Sequence, residues 1–277
     1  METACYKVLD SKRDATGILS EVFVPQGLVG SPWGSDLQHA GPVTGLLARA
    51  LEQCGPRDDA RITRVAVDIL GPVPIREVEV RAWVVRPGRR IELLCAEMFA
   101  LDTGGHRRAV ARGNAWRMQT VVDTSPDQYS ADPPVAGVGP TSGGLAEFPL
   151  PESWRSGFVN ALEWQGKTPY RAQGSATVAW MRLKCPLVMG EQASDFQQVM
   201  TIADVANGIG ARLDPAKWTF MNTDVMVHLF NPPAGPWVGL AAETSTGVDG
   251  VAMSAGVIHC ESGPVGRITQ NVLVQPR

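Results

Sequence analysis

The sequence predicts an α+β fold built from two similar units, each with one helix packed on a curved antiparallel sheet. Two observations support this prediction. First, residues 120–151 of the 277-residue chain are crowded with Pro, Gly, Ser and Asp and show neither a helical nor a strand period, which is typical of a linker. Second, one helical pattern followed by several strand patterns occurs on both sides of that segment. We therefore predict an N-terminal domain over residues 1–119 and a C-terminal domain over residues 152–277.

The N-terminal unit contains one amphipathic segment, residues 43–53, in which apolar residues recur at helical spacing. Pro42 suits the first turn of this helix, where its missing N–H costs nothing. Segments that alternate with period two follow it and predict strands. These strand segments are residues 65–69, 78–84, 91–95 and 109–118.

The C-terminal unit repeats this order, with a helix predicted over residues 202–213. The strands predicted after it lie near residues 225–230, 237–244, 251–260 and 267–274. When Gly45 is aligned with Gly208, residues 48–49 and 211–212 are both Ala-Arg, and Asp204 falls on Gly41. The two units are therefore predicted to be homologous.

Composition narrows the class of function. Hydrophobic residues make up 44% of the chain and charged residues 19%, which predicts a well-buried core. The net charge is only −3, and the 25 Lys and Arg residues are scattered, so the sequence shows no footprint for nucleic acid or an anionic membrane. A small-molecule partner fits this balance better.

The chain shows no targeting segment or metal motif. Residues 1–14 lack the apolar core of a signal peptide, and no stretch approaches the roughly 20 apolar residues of a membrane span, so we expect a cytosolic protein. The five cysteines are far apart, without a Cys-x-x-Cys pair, and are interpreted as buried free thiols. The four histidines have no metal-ligand spacing. We expect no metal and no cofactor.

Several stretches resemble the actinobacterial-type acyl-CoA thioesterase-like double hotdog family. In the N-terminal unit they are Gln38-His39-Ala40-Gly41-Pro42, Leu70-Gly71-Pro72-Val73-Pro74 and Val85-Arg86-Pro87-Gly88. In the C-terminal unit they are Ala203-Asp204-Val205-Ala206-Asn207-Gly208, Asn222-Thr223-Asp224 and Gly263-Pro264-Val265-Gly266-Arg267 before Gln270. The resemblance implies a tandem hotdog fold and hydrolysis of acyl-CoA or an acyl carrier conjugate. A homo-oligomer is also expected.

The chain is more distantly similar to the acyl-CoA thioesterase II group, in which an Asp, a Thr and a Gln hold a water for attack on the thioester. By position, this similarity implies that Asp204 and Gln270 take the first and last roles. Asn222 stands where the group has Thr, with Thr223 beside it. An Asn side chain both donates and accepts hydrogen bonds, so water positioning remains feasible.

Each candidate residue also has a structural interpretation. Asp204 is either the general base or a helix N-cap, a role worth about 1 kcal/mol. Gln270 either bonds neighbouring backbone or lines the cleft with Asp204. Since Gly41 is aligned with Asp204, only one of two pseudo-equivalent clefts is expected to keep an acid.

The candidate substrate-binding residues are His39, Gly41, Gly208 and Asp224. His39 is interpreted first as a helix-entry or capping residue. Gly41 either lets a substrate chain approach the helix start or serves helix packing. Asp224 either orients Asn222 or is a solvated acid.

Two rival functions remain open. The chain lacks a Gly-x-Ser-x-Gly motif, which argues against a thioesterase of the α/β-hydrolase type. The change from Thr to Asn at Asn222 leaves room for a hotdog that binds an acyl or polyketide-like thioester without hydrolysing it. A dehydratase or cyclase would need His39 and Asp204 within hydrogen-bond reach of each other.

Overall fold

The structure, a computed structural model, describes residues 3–102, 104–121, 129–132, 146–167 and 175–277. The elements of the N-terminal half are β1 (Tyr6–Arg13), β2 (Leu19–Pro25), β3 (Gly30–Ser31), β4 (Gly34–Gln38), α1 (Ala40–Gln53), β5 (Ala60–Ile69), β6 (Val78–Arg86), β7 (Ile91–Leu101) and β8 (Arg107–Gln119). Those of the C-terminal half are β9 (Ala146–Glu147), a 3₁₀ turn (Glu152–Trp154), α2 (Gly157–Ala161), β10 (Leu162–Lys167), β11 (Thr177–Leu183), α3 (Asp195–Ala203), α4 (Ala206–Gly210), β12 (Trp218–Asn222), β13 (Asp224–Leu229), β14 (Val238–Thr246), β15 (Val251–Cys260) and β16 (Gly263–Pro276).

One long antiparallel sheet runs through both halves. Its strand order is β1-β2-β6-β7-β8-β5-β13-β16-β15-β14-β11-β10-β9, with β12 also paired to β16. From the central pair, β5 and β13, the strand order runs outward through equivalent strands in each half. The strands alternate between buried and exposed residues, as in β16, so one face of the sheet is buried. The tandem α+β hotdog predicted from the sequence is confirmed.

The long helices α1 and α3 pack against each other and run antiparallel, because Gly41 lies beside Thr201 while Glu52 contacts Ser194. Thr44 Oγ1 donates to the carbonyl oxygen of Met200 at 2.9 Å across this contact. A Cβ on Gly45 would lie 2.2 Å from Thr201 Oγ1, so the helices approach closely only because this residue is Gly. The packing places the start of each helix beside the end of the other.

The predicted helix over residues 202–213 is wrong in its bounds. The C-terminal half instead has α3 and the short α4, separated at Asp204 and Val205. α3 begins earlier because Ser194 caps it by accepting the Gln197 N–H, and because Phe196, Val199 and Met200 give it a buried face. α4 ends at Gly210. Because Gly208 and Gly210 both have low helix propensity, the second half of the predicted range does not favour a long helix.

The domain bounds predicted from the sequence remain a prediction. Most of the predicted linker, residues 122–128 and 133–145, lies outside the described residues. Residues 146–147, inside that predicted linker, pair with β10 and so belong to the C-terminal sheet. Among the described residues, no helix has both the length and the apolar character needed to cross a bilayer. Cys5, Cys95 and Cys260 are buried free thiols, while Cys54 and Cys185 are partly exposed.

A buried ion cluster connects the N-terminal half to the C-terminal half. The Arg49 side chain, on α1, donates to Glu21 on β2 and to Glu191 in the C-terminal half. Burial disfavours the charged guanidinium, but the hydrogen bonds to Glu191 and Glu21 outweigh burial and raise the pKa of Arg49. The cation is therefore permanently charged and balances two carboxylates, of which Glu21 is itself buried.

We expect Arg49→Ala to lower the free energy of unfolding by about 3–5 kcal/mol, because it leaves a buried carboxylate without its partner. Urea unfolding followed by circular dichroism would measure this loss as a lower midpoint at an unchanged slope. Arg155→Ala is the matched control, since that guanidinium is 38% exposed and its partner Glu147 is 74% exposed. It should cost at most about 1 kcal/mol. Equal losses in the two variants would contradict a dominant role for the buried cluster.

Candidate active site

Residues from both halves line a cavity of about 250 Å³ next to the start of α1. The N-terminal half contributes Gln38 and His39, and the C-terminal half contributes Asp204, Asn207 and Asn222. All five residues belong to the motifs on which the family resemblance rests, and the cavity brings them together from distant parts of the chain.

Asp204 occupies the break between α3 and α4, where it is the C-terminal cap residue of α3 with helical φ and ψ of −57° and −25°. Its side chain is 1% exposed. Oδ1 accepts a hydrogen bond from Asn222 Nδ2 at 2.8 Å, and Oδ2 lies 2.9 Å from His39 Nδ1. The interpretation of Asp204 as a helix N-cap is therefore wrong, because the N-cap residue of the following helix, α4, is Val205, and among the described residues the Asp204 carboxylate contacts the side chains of Asn222 and His39.

His39 caps the other long helix, α1, as its sequence position predicts. Nδ1 lies 3.0 Å from the Gly41 N–H, and the ring packs against Phe158 with the ring centroids 4.9 Å apart. The neighbouring Gln38 is held by Tyr6 Oη, which donates to its Oε1 at 2.6 Å. Burial raises the pKa of Tyr6 well above its ordinary value, so this hydroxyl keeps its proton. The side chain of Gln38 is therefore held in place directly before His39.

Nδ1 of His39 faces two groups and can satisfy only one of them at a time. As an acceptor it binds the Gly41 N–H, a cap worth about 0.5–2 kcal/mol. As a protonated donor it binds the carboxylate of Asp204, and losing the partner of a buried charge costs about 3–5 kcal/mol. When Asp204 is ionised, the second energy is larger. A neutral ring with its proton on Nδ1 would carry its lone pair on Nε2.

Asn222, not Thr223, reaches the carboxylate. Asn222 Nδ2 donates to Asp204 and also to the backbone carbonyl of Asp224 at 3.2 Å. Thr223 is exposed, and its hydroxyl donates to the carbonyl oxygen of Asn271 at 3.4 Å. Asn222 ends β12 and Thr223 lies at the bend before β13, and their side chains contact different partners. The amide at position 222 is the group placed where the similar thioesterases have Thr.

Among the described residues, the side chain of Gln270 bonds to the backbone around the helix break. Its Oε1 accepts from the Asn207 N–H at 2.8 Å, and its Nε2 donates to the Asp204 carbonyl at 2.9 Å. The side chain is 1% exposed. Both ends of the amide are therefore used in fixing the turn that carries Asp204. The role of water positioner stays a prediction.

The remaining candidates have different surroundings. A Cβ on Gly41 would lie 2.5 Å from the Phe158 ring and 2.7 Å from the Thr201 carbonyl, so this position is filled by packing. Gly208 lines an apolar pocket, where a Cβ would lie 3.3 Å from the Trp154 ring. The carboxylate of Asp224 accepts from the Asn271 N–H, so Asp224 orients Asn222 only through its backbone carbonyl.

The apolar pocket adjoins the cavity at His39 and holds about 30 Å³ of space. Its wall is aromatic and aliphatic and includes Trp33, Phe148, Leu150, Trp154, Trp164 and Val205. Asn207 borders both spaces, and its Nδ2 donates to the Phe220 carbonyl at 3.2 Å. Sequence reasoning gave these residues no role. Asn207 could have been identified from the sequence, because it lies in the same motif as Asp204.

The two helix starts correct the internal alignment. α1 begins after His39, which contacts Asp204, and α3 begins after Ser194, whose hydroxyl donates to Glu52 at 2.8 Å near the end of α1. Matching the two cap residues therefore replaces the match of Gly45 with Gly208. The expected absence of an acid from the second cleft is wrong, because Glu52 occupies the corresponding contact. The two helix starts therefore differ in the residues that form this contact, which are His39 and Asp204 at one and Ser194 and Glu52 at the other.

We expect Gln270→Ala to lower the free energy of unfolding by about 2–6 kcal/mol, because it strands a buried N–H and a buried carbonyl at roughly 1–3 kcal/mol each. Gln275→Ala, at an exposed position of the same strand, should change stability by no more than about 0.5 kcal/mol. Thermal and urea unfolding of both variants would measure the difference. A similar small effect in both would show that Gln270 does not brace the helix break.

Comparison with solved structures gives the same fold over nearly the whole chain. A conserved hot dog protein of unknown function from Alicyclobacillus acidocaldarius matches with a TM-score of 0.71 at 12% identity, covering 96% of both chains. A putative thioesterase II from Thermobifida fusca matches with a TM-score of 0.69 at 16% identity, covering 96% of this chain and 95% of that one. An acyl-CoA thioesterase II from Mycobacterium marinum matches with a TM-score of 0.63 at 13% identity, covering 97% and 96%.

No match was found among curated proteins. The family of acyl-CoA thioesterase N-terminal domains matches residues 29–118, which include His39, and that of acyl-CoA thioesterase C-terminal domains matches residues 142–274, which include Asp204, Asn222 and Gln270. Together the two matches span well over half of the sequence and both halves of the fold. The chain belongs to the acyl-CoA thioesterase family of double hotdog proteins.

Proposed function

We propose that this protein hydrolyses acyl thioesters of CoA or of an acyl carrier, at the cavity that His39 and Asp204 share. The observation that carries the proposal is the buried carboxylate of Asp204, held by Asn222 and His39 at the junction of the two halves. Thioester hydrolysis needs a positioned water and a group that takes its proton, and this cluster supplies side chains suited to both tasks.

The two adjoining spaces suit the two ends of a thioester. The apolar pocket beside Trp33 and Trp154 suits an acyl group, since aromatic and aliphatic walls favour hydrocarbon. The larger cavity, lined by Gln38, Asn207 and Asn222, suits the thiol side, whose amide groups need hydrogen-bonding partners. The thioester carbonyl would then lie where the two spaces meet, beside His39.

We expect Asp204→Asn to remove most hydrolysis while leaving the fold intact, because the amide is nearly isosteric but carries no charge to hold the proton on His39. Thiol release from a panel of acyl-CoA substrates would measure activity. Since Cys54 and Cys185 are partly exposed, a blank without substrate must be subtracted for the protein's own thiols. Near-full activity in the variant would overturn the assignment of Asp204. A wild-type protein that binds acyl-CoA tightly without turnover would instead indicate a binding protein.

The size of the apolar pocket predicts a preference for short acyl groups, because about 30 Å³ leaves room for little more than one carbon unit without rearrangement. Leu150→Ala should enlarge the pocket and move the preferred chain length upward by about two carbons. Gly208→Ala places a methyl group beside Trp154 and should reduce kcat/KM for the longer substrates. Because Ala favours helices over Gly, lower stability would not explain that reduction. An unchanged chain-length profile in both variants would exclude this pocket as the acyl site.

A second candidate function is favoured by one specific distance. His39 Nδ1 and Asp204 Oδ2 are 2.9 Å apart, which meets the condition set for a dehydratase. The thiol-release panel should therefore include a 3-hydroxyacyl-CoA, with the formation of the conjugated enoyl thioester followed by its ultraviolet absorbance. Enoyl product without free thiol would favour the dehydratase. The homo-oligomer stays a prediction that sedimentation of the purified protein would test.

A further inference from the structure

The ionisable groups that face the reaction space are few. Among the described residues that line the cavity, His39 has the only imidazole and Asp204 the only carboxylate. The lining of the adjoining apolar pocket contributes only His39. One of these two groups must therefore accept the proton of the attacking water.

Asp204 is badly placed for that task. Its side chain is 1% exposed, and each oxygen already has a partner, Asn222 on Oδ1 and His39 on Oδ2. Each oxygen keeps a second lone pair, but a side chain this deeply buried offers a water little access to it. His39 is 12% exposed, and in the described residues no hydrogen bond reaches its Nε2, since its polar contacts, with Gly41 and Asp204, are both made through Nδ1.

We propose that His39 Nε2 is the general base of the reaction and that Asp204 is a positioning residue that acts through His39. This inference rests on the proposed hydrolase function. It assigns the proton transfers of that reaction to His39, whose position helix capping alone would otherwise explain. The carboxylate of Asp204 keeps the proton on Nδ1, so the lone pair of Nε2 faces the space in which the thioester carbonyl would lie.

The bonds and protons balance with this pair alone. Water oxygen bonds to the thioester carbon while one water proton moves to His39 Nε2, which gives an imidazolium beside the Asp204 carboxylate. The tetrahedral intermediate then breaks its C–S bond. The leaving thiolate takes the proton from Nε2, so the free thiol and the carboxylic acid are released and the neutral imidazole is restored.

His39→Asn separates the capping role from the catalytic role. Asn is a strong N-cap, and its shorter side chain can offer an oxygen to the Gly41 N–H and an amide N–H to Asp204. It has no group at the position of Nε2. We expect an unchanged melting temperature and a KM close to that of the wild type, with kcat reduced about 10²–10⁴-fold, the usual contribution of general base catalysis.

His106→Asn is the matched control, because His106 also pairs with an acid, Asp102, but is 85% exposed on the surface. It should leave kcat and the pH profile unchanged. If Asp204 itself took the proton, His39→Asn would keep most of its activity and the ionisation seen in the wild type. That result would overturn the assignment of His39 while leaving the hydrolase function intact.

The pH profile and rescue by imidazole test the catalytic role of His39, because a purely structural role predicts neither a pH limb that depends on His39 nor rescue. A general base produces an ascending limb in the plot of kcat/KM against pH, and this limb should disappear in His39→Asn. Added imidazole should restore part of the activity of His39→Ala, because free imidazole can occupy the vacated space. No rescue, or a limb that persists in the Asn variant, would contradict the proposal. A wild-type protein without hydrolysis would refute the proposed function itself.

Discussion

The antiparallel packing of α1 against α3 is the constraint on which the candidate site depends. Because the helices run in opposite directions, the start of α1 meets the end of α3, and His39 and Asp204 come within 2.9 Å although 165 residues separate them. Gly41 and Gly45 permit this approach, since a Cβ at either position would collide with the facing elements. The site is thus a product of how the halves join, and neither half contains it alone.

The break at Asp204 is the second requirement, because a continuous helix would bond the backbone that Gln270 now holds. Gln270 bonds the carbonyl of Asp204 and the N–H of Asn207, and so replaces hydrogen bonds that a helix would supply to itself. The side chain of Asn207 continues the bracing toward Phe220 and Asn222. Two buried amides, Gln270 and Asn207, and the half-buried Asn222 therefore fix the direction of one carboxylate, which is how a site is made rigid before substrate arrives.

The sequence predicts the architecture well, because a single amphipathic helix and strands of period two are local patterns that recur in both halves. It fails at the second helix, where apolar spacing after Asp204 suggests continuity and the Ser194-Asp195 start signal lies upstream of the predicted range. The candidate residues could be named from motifs, but their partners could not. The contact of His39 with Asp204 and the orientation of Gln270 depend on long-range packing, which no local pattern encodes.

The difference between the two helix starts explains why one contact suits acid–base chemistry and the other suits stability. Ser194 and Gln197 both donate to the carboxylate of Glu52, so that acid is fully engaged by neutral donors with no proton to exchange near neutral pH. At the other start the cap is an imidazole, a weaker choice for capping than Ser, Asn or Asp. A residue that is poorer as a cap, placed against a buried acid and open to a cavity, is better accounted for by proton transfer than by helix stability. At the junction of the two halves, the contact of Ser194 with Glu52 therefore serves stability, and the contact of His39 with Asp204 is available for acid–base chemistry.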